Sequence, residues 1–583
     1  MAGLITKPLI VFSLMKFRLL SYILLFSLLA NAQSPDREYF RSPVDIPILL
    51  SGNFGELRSN HFHSGIDIKT QGKTGLPVYA AAEGDISRLR VSPYGFGLAI
   101  YIDHPNGQST VYGHLLSFRE DIEKYIKEKQ YAKESFSVDL QIPEGTFPVK
   151  KGELIALSGN SGSSGGPHLH FEIRDTHKQE PLNPLQFGFP VKDDMKPKIL
   201  SAFIAPLGND SHVNGQRKGK LIETVFYNGA YHLKGNPVIP VYGQVGFGIQ
   251  ALDYLDGSWN KCGVFEIKLK IDDQLVYTFL MDRLNFSETR YLNSHIDYSE
   301  YRKNYRRVHK SWVDPGNKLS NYHQLVNRGI VDLSDGKQHQ IRYEIQDVYG
   351  NTSVLSFRVQ SKLMQLSEPT LAGKLIRYNQ EERIETDQLN ADFPSGTFYS
   401  DFHLDYDAKP ANNLYYSPLF KLHDDRTPVH QSYQLKLKAD LVPDSLEDKA
   451  LIAAISDKSG KKWSLGGKYE NGWVTASVRQ LGTFAISVDT IAPTIRPLSI
   501  AAHSRLTEKN RIRFKIRDEF SGIADYRGEI DGQWVLFEYD AKNALITYHI
   551  DSKRLQLNKK HQLKLEVTDN KGNVATYEAN FFR

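Results

Sequence analysis

Three short patterns in the chain carry the residue types that hold metals and move protons. His63-Ser64-Gly65-Ile66-Asp67 reads H-x-x-x-D, Tyr112-Gly113-His114 reads Y-G-H, and Pro167-His168-Leu169-His170 reads P-H-x-H. Zinc accepts neutral imidazole and carboxylate ligands, and a catalytic zinc site keeps three protein ligands with the fourth position open for water. His63, Asp67 and one histidine of the His168/His170 pair supply such a set, leaving the other histidine of the pair to reach a substrate. In a chain with 19 histidines a single such pattern carries little weight. Three in order, between His63 and His170, carry much more.

The elements around these residues have to bring them together. His168 and His170 are two apart, so on a strand they project to the same face. Leu169 and Phe171 alternate with them, and Glu172 and Ile173 are read as breaking that alternation. Leu98 to Asp103 and Gln108 to Tyr112 are short strand-like runs joined through Pro105-Asn106-Gly107, a strong hairpin signal, and His114 lies just past the second run. Gly159 to Gly166 lacks the Gly-Lys-Ser/Thr ending of a phosphate-binding loop. It reads as a tight turn whose glycines permit positive φ and deliver the His168 strand. His61 and His104, near the patterns but outside them, read as structural.

The segment carrying these motifs resembles the lysostaphin-type zinc endopeptidases, bacterial enzymes that cut peptide bonds in peptidoglycan; the resemblance covers roughly the first third of the mature chain. Val78 to Ile86 and Val149 to Ala156 resemble the strand and turn units of the family's duplicated hybrid motif, a β fold. The resemblance implies that His63 and Asp67 are the first two zinc ligands and His170 the third. It implies that His114 and His168 act on the attacking water and the transition state. Relatives that lack these residues serve as activators of other hydrolases, whereas here no ligand is missing.

At 583 residues, 40% of them apolar, the chain has room for about four domains. A net charge of +5 suits an anionic envelope and is too small to argue for nucleic acid. Residues 1–32 read as a signal peptide, with Lys16 and Arg18 before the apolar run Leu19 to Leu29 and Ala30-Asn31-Ala32 as the cleavage site. Met15 is an alternative start. The single cysteine, Cys262, excludes an internal disulfide framework. Residues 33–190 form the expected zinc metallopeptidase domain, with an insertion at 117–148. In it Phe118, Ile122, Tyr125 and Ile126 fall at helical spacing, which predicts an amphipathic helix, either a wall of the substrate groove or a surface packing helix.

After Pro190 the pattern becomes alternating strands, so the fold class is mainly β. His339 to Glu344 with Asp347, Gly350 and Asn351 repeats as His561 to Glu566 with Asp569, Gly572 and Asn573, a constant spacing of 222. Asp193, Pro197 and Ile199 echo Asp489, Pro493 and Ile495. These echoes predict immunoglobulin-like β-sandwiches at 191–365, with insertions, and at 489–583, with a β-rich domain of no nameable family at 366–488 that contains Trp463 and Trp473.

The expected protein is an exported zinc metalloendopeptidase, with one Zn2+ per peptidase domain, acting on stem or cross-link peptides of peptidoglycan in the periplasm, cell envelope or outside the cell. Nucleic acid and a membrane span after signal cleavage are not expected. Envelope proteins or glycans are candidate partners for the β domains. Three rival readings stand beside it: a catalytically silent regulator, a cell-wall-binding adhesin, and a secreted protease acting on glycine-rich proteins.

Overall fold

A computed structural model describes residues 36–583 apart from 368–371, 502 and 507–508, so the leader expected at 1–32 lies outside the described residues. The protein is mainly β. The first sheet runs, in spatial order, through Leu50–Gly52, Ile66–Lys69, His168–Asp175, Gln108–Gly113, Leu98–Asp103, Gly84–Val91 and Val138–Gln141. A three-stranded sheet of Pro77–Tyr79, Leu154–Ser158 and Leu115–Phe118 completes this part. The two segments read as strand and turn units, Val78 to Ile86 and Val149 to Ala156, pair with each other, through Pro77–Tyr79 with Leu154–Ser158 and through Gly84 and Asp85 with Val149 and Pro148. The predicted hairpin forms with Gly107 at φ +79°, a left-handed position that costs a glycine little.

His168–Asp175 is the central strand of the site, and its alternation continues further than the sequence reading allowed. Leu169, Phe171 and Ile173 are all fully buried on one face. His168, His170, Glu172 and Arg174 therefore share the other, and Glu172 is in phase with the histidines rather than a break in the pattern.

The insertion contains the helix Glu120–Lys133, which begins two residues after Phe118 and buries Ile122, Ile126 and Gln130. Its outer residues meet the last β domain. Lys127 pairs with Asp551 at 3.1 Å, Glu134 with Arg527 at 2.7 Å, and the Tyr131 ring lies edge-on to Trp534 and under the Arg554 guanidinium. The outer face of the helix is thus a contact surface for the last β domain.

The internal repeat is visible as matching hydrogen-bond networks. In the first copy His339 Nδ1 lies 2.7 Å from Asp272 Oδ2 and Asn351 Nδ2 donates to Asp347 Oδ2 and to the Asp193 carbonyl. In the second, His561 lies 2.7 Å from Asp531, and Asn573 donates to Asp569 and to the Asp489 carbonyl. Among the described residues no helix is long and apolar enough to cross a membrane.

Chain order and packing part company at the seam between the part that carries the histidine motifs and the first of the β domains after it. Phe54, Leu57 and Phe62 belong to the hydrophobic core of that β domain, beside Phe279 and Met281. In exchange, Leu255 and Cys262 are buried in the core of the motif-bearing part, where burial pushes the thiol up, out of any nucleophilic range. The Asn53 side chain ties the exchange down, donating to the Gly263 carbonyl at 2.8 Å and accepting from the Gly263 N–H at 2.7 Å. Removing the β domain would expose three large apolar side chains immediately before His63. Phe62→Ala is expected to destabilise the chain by about 3–5 kcal/mol, measured by denaturant unfolding, and a fragment ending at residue 190 is expected to lose cooperative melting. A fragment melting as sharply and as high as the full chain would show that the exchanged residues are not needed.

Candidate metal centre and active site

The site is assembled by strand register. In the antiparallel pairing of His168–Asp175 with Ile66–Lys69, His170 stands opposite Asp67; on its other side it stands opposite Gly113. The chain leaves Gly113 through His114, whose φ of +59° turns it out of the strand at the rim of the site. His63 comes from the loop before Ile66. Gly65 follows it because a Cβ there would sit 2.4 Å from the Phe171 carbonyl and 3.0 Å from the His170 ring.

Three donor atoms converge. His63 Nε2 and Asp67 Oδ1 are 3.1 Å apart, His170 Nδ1 and Asp67 Oδ1 2.9 Å, and His63 Nε2 and His170 Nδ1 3.1 Å. All three residues are buried. Bonds of about 2.0–2.1 Å to a tetrahedral zinc imply ligand atoms roughly 3.3–3.4 Å apart. The observed triangle is slightly tighter, and two imidazoles with one carboxylate are a donor set zinc accepts. The residues fit the metal.

Hydrogen bonds to the far side of each ring decide which nitrogen is free. His63 Nδ1 lies 2.8 Å from the Asn53 carbonyl, which can only accept, so the lone pair is left on Nε2. His170 Nε2 lies 2.8 Å from Glu172 Oε1, leaving the lone pair on Nδ1. Glu172 is itself held by Ser64 Oγ and Arg174 Nε, each at 2.5 Å. The second oxygen of Asp67 is taken by Arg58 at 2.5 Å, which leaves Oδ1 facing the histidines. Phe96 stacks on the His170 ring, with centroids 4.8 Å apart.

His114 and His168 stand beside this triangle, their ring centroids 4.7 Å apart. Each commits Nδ1 to a carbonyl, His114 to Ser161 at 2.8 Å and His168 to Gly166 at 2.9 Å. Ser164 Oγ is a further 3.2 Å neighbour of His168 Nδ1. His168 Nε2 is buried without a hydrogen-bond partner and 3.4 Å from Asp67 Oδ1. Of the glycines in the turn only Gly162 takes a positive φ, +66°; the turn leads into the strand that begins at His168 and presents the Ser161 and Gly166 carbonyls to the two rings. His104 spends both nitrogens, on the Glu83 carbonyl and Thr110 Oγ1, and His61 is exposed; neither joins the site.

The electrostatics favour a cation at the triangle. Burial alone would raise the Asp67 carboxyl, but the adjacent His63, the hydrogen bond with His170 and the nearby His168 ring outweigh it and hold Asp67 well below the usual carboxylate range. Burial opposes charge on His170, yet hydrogen bonds to Asp67 and Glu172 raise it to about 9. A proton is the smallest cation those carboxylates can recruit. Glu172 resists burial through Arg174 and His170 and falls to about 2. Burial, with His170 and His168 adjacent, lowers His114 to about 3, so it stays neutral and able to accept a proton.

Next to His168 the last β domain closes over the turn. A cleft between them is lined by Tyr94, Ser164, Gly165, Thr494, Arg517 and Lys542, and Lys542 donates to the Asn160 carbonyl. Asn53, Arg58 and Ser161 were not singled out by sequence reasoning, nor was Glu172 given a role. Only Glu172 left a readable trace, as the next in-phase position after His170.

Comparison with known proteins places the same segment. Residues 61–135 and 136–184 match Peptidase family M23, and residues 373–489 match a Zu5-like domain. The chain is 29% identical over 181 residues to the peptidoglycan DD-endopeptidase ShyA of Vibrio cholerae, covering 30% of this chain and 36% of ShyA. It is 32% identical over 137 residues to the DD-carboxypeptidase/endopeptidase Mpg of Neisseria meningitidis, covering 24% of this chain and 25% of Mpg. The matches thus span about a third and a quarter of those relatives' lengths. A crystal structure of a zinc-containing peptidase from Vibrio cholerae aligns over 26% of this chain and 40% of its own at 27% identity, with a TM-score of 0.19. By the sequence matches, the segment that builds the His63, Asp67 and His170 triangle is a domain of peptidase family M23, the lysostaphin-type peptidases, on a chain that continues into β domains of which one is Zu5-like.

Proposed function

We propose that the protein is an exported zinc metalloendopeptidase that hydrolyses peptide bonds in the stem peptides or cross-links of peptidoglycan. The observation that carries this reading is that His63, Asp67, His114, His168 and His170 all have their outward hydrogen bonds satisfied by acceptors or, for Asp67, by Arg58, leaving their metal- or proton-binding atoms for one small volume. A vestigial site in a silent regulator has no reason to keep every one of these bonds. The names of the relatives, DD-endopeptidases among them, support the substrate class.

In this reading His63 Nε2, Asp67 Oδ1 and His170 Nδ1 hold Zn2+. The ion, when bound, polarises the scissile carbonyl and brings the pKa of a water toward about 7. Asn53 and Glu172 orient the two imidazoles, and Arg58 occupies Asp67 Oδ2 so that Oδ1 would be the oxygen offered to the ion. His168 and His114, each with Nδ1–H fixed on a carbonyl, use Nε2 to take a proton from the attacking water and, once protonated, to donate to the developing oxyanion or the leaving amine. The basicity of His114, lowered by burial and by the neighbouring histidines, suits a group that must release the proton again within one turnover. The cleft beside Ser164, with one wall from the last β domain, is the candidate place for the peptide substrate.

The full mature chain loaded with zinc is expected to cleave cross-linked muropeptides, with products identified by mass spectrometry. Metal-replete protein that leaves every cross-linked and stem peptide intact would overturn the enzymatic reading. His63→Ala, Asp67→Ala and His170→Ala are expected to lose zinc and activity together.

His168→Ala and His114→Ala are expected to keep zinc while kcat falls roughly 10²- to 10⁴-fold, with the double variant losing less than the product of the two. Zinc by atomic absorption on the same samples checks this. A zinc-free His168→Ala beside a zinc-replete His170→Ala would reverse the two roles. Glu172→Gln is expected to weaken zinc binding about 10- to 100-fold, read by competition with a chromogenic chelator. Unchanged affinity there would mean the carboxylate only packs.

A further inference from the structure

The seam between the peptidase domain and the first β domain contains a second cluster of potential ligands. Asp193, Asp253 and Asp347 bring carboxylate oxygens within 4.8 Å of one another, and the three residues are only 8%, 2% and 2% exposed. None of the ion pairs among the described residues includes any of them. The neighbouring Lys192 pairs instead with Asp194 and Asp256 at the surface. Buried carboxylates without a cation are rare, because the desolvation of each charge has nothing to offset it.

Hydrogen bonds account for only part of the cluster. Asp347 Oδ1 accepts from the N–H groups of Tyr349 and Asn351, both at 2.9 Å, and Oδ2 accepts from Asn351 Nδ2 at 2.7 Å. Asp193 Oδ1 accepts from the Met195 N–H at 3.0 Å. Asp193 Oδ2 and Asp253 Oδ1 are buried with no partner. Burial and the mutual repulsion of the three carboxyls push Asp193 up to about 7 and Asp253 to about 8. The environment thus refuses the negative charges it has gathered unless a positive one joins them.

The donor set selects the ion. It is all oxygen, with no imidazole or thiolate, so it suits a hard cation and not zinc. Three carboxylates in an interior pocket match Ca2+, which takes 6–8 oxygens in flexible geometry, better than Mg2+, which keeps most of its waters. The last β domain offers an internal comparison. Asp489, Asp518 and Asp569 form the corresponding cluster, but there the Ser521 N–H donates to Asp489 Oδ2 and the Phe520 and Gly522 N–H groups donate to Asp518 Oδ2. The unpartnered oxygens are a property of the first copy.

We propose that Asp193, Asp253 and Asp347 bind a calcium ion, and that this ion stiffens the loop that orients His63. Asp253 exchanges two backbone hydrogen bonds with Cys262, at 3.0 and 2.9 Å, closing the loop. Gly263, next in the chain, is held by both ends of the Asn53 amide, and the Asn53 carbonyl receives His63 Nδ1. Four residues therefore connect the acidic pocket to the metal centre.

The test uses the full mature chain passed over a chelating resin, reloaded with one equivalent of Zn2+, and titrated with CaCl2. The melting temperature is expected to rise saturably by roughly 2–8 °C. Tb3+ luminescence sensitised by nearby Tyr349 is expected to appear and to be quenched by Ca2+. Asp253→Asn and Asp193→Asn are expected to lose both responses, yet to melt without calcium at or above the calcium-free parent, because an amide removes the repulsion. Asp569→Asn is expected to keep the full response. No calcium-dependent rise in the parent up to 10 mM on the order of extracellular affinities, an equal rise in Asp253→Asn, or loss of the response in Asp569→Asn would each overturn the assignment. So would Asp253→Asn and Asp193→Asn both melting well below the calcium-free parent, the mark of acids that serve only as structural hydrogen-bonding groups.

Discussion

The pairing of Asp67 with His170 across two neighbouring antiparallel strands is the constraint on which the rest of the centre depends. A slip of one residue in that register would turn every side chain of the His168–Asp175 strand to the opposite face. Leu169, Phe171 and Ile173 would then point at Asp67, and the histidines would enter an apolar core. The full burial of those three side chains is what prevents it. Ordinary core packing, with no contribution from a metal, thus sets the distance between a carboxylate and an imidazole to within a hydrogen bond.

Around that register the chain builds support from remote segments. Asn53 joins the peptidase part to a glycine 210 residues away and at the same time orients His63. Phe62, one residue before His63, is packed against Phe279 and His295 of the first β domain. The candidate metal centre is consequently anchored from both sides of a domain seam, and its rigidity belongs to two cores rather than one. A ligand held in this way loses little entropy on binding a metal, which is how a buried site reaches high affinity without extra ligands.

The β domains differ in how they meet the peptidase domain. The first interpenetrates it through exchanged apolar residues. The last touches it through charged and aromatic contacts on the outer face of Glu120–Lys133 and through Lys542 on the glycine-rich turn. Exposed ion pairs contribute at most about 1 kcal/mol each, so the second contact is the more easily opened of the two. It lies next to the turn that supports His168.

The sequence by itself determined the local and periodic features. H-x-x-x-D and H-x-H spacing, the Pro105-Asn106-Gly107 hairpin, the change to alternating strands after Pro190 and the repeat between His339 and His561 are all set by neighbours within a few residues or by direct self-comparison. The resemblance built on those motifs then pointed to a set of five residues that the fold does bring together. The parity of Glu172 was also legible, but it was misread because a charged residue on a buried strand looks like an interruption until its partners, His170, Ser64 and Arg174, are seen. Only the tertiary structure could decide that Asn53 and Arg58 back the centre, that Phe54 to Phe62 belongs to another domain's core, and that Asp193, Asp253 and Asp347 share one pocket. The physical reason is the same in each case. These contacts join residues far apart in the chain with no recurring spacing, so their existence depends on how whole sheets pack, and no local pattern records it.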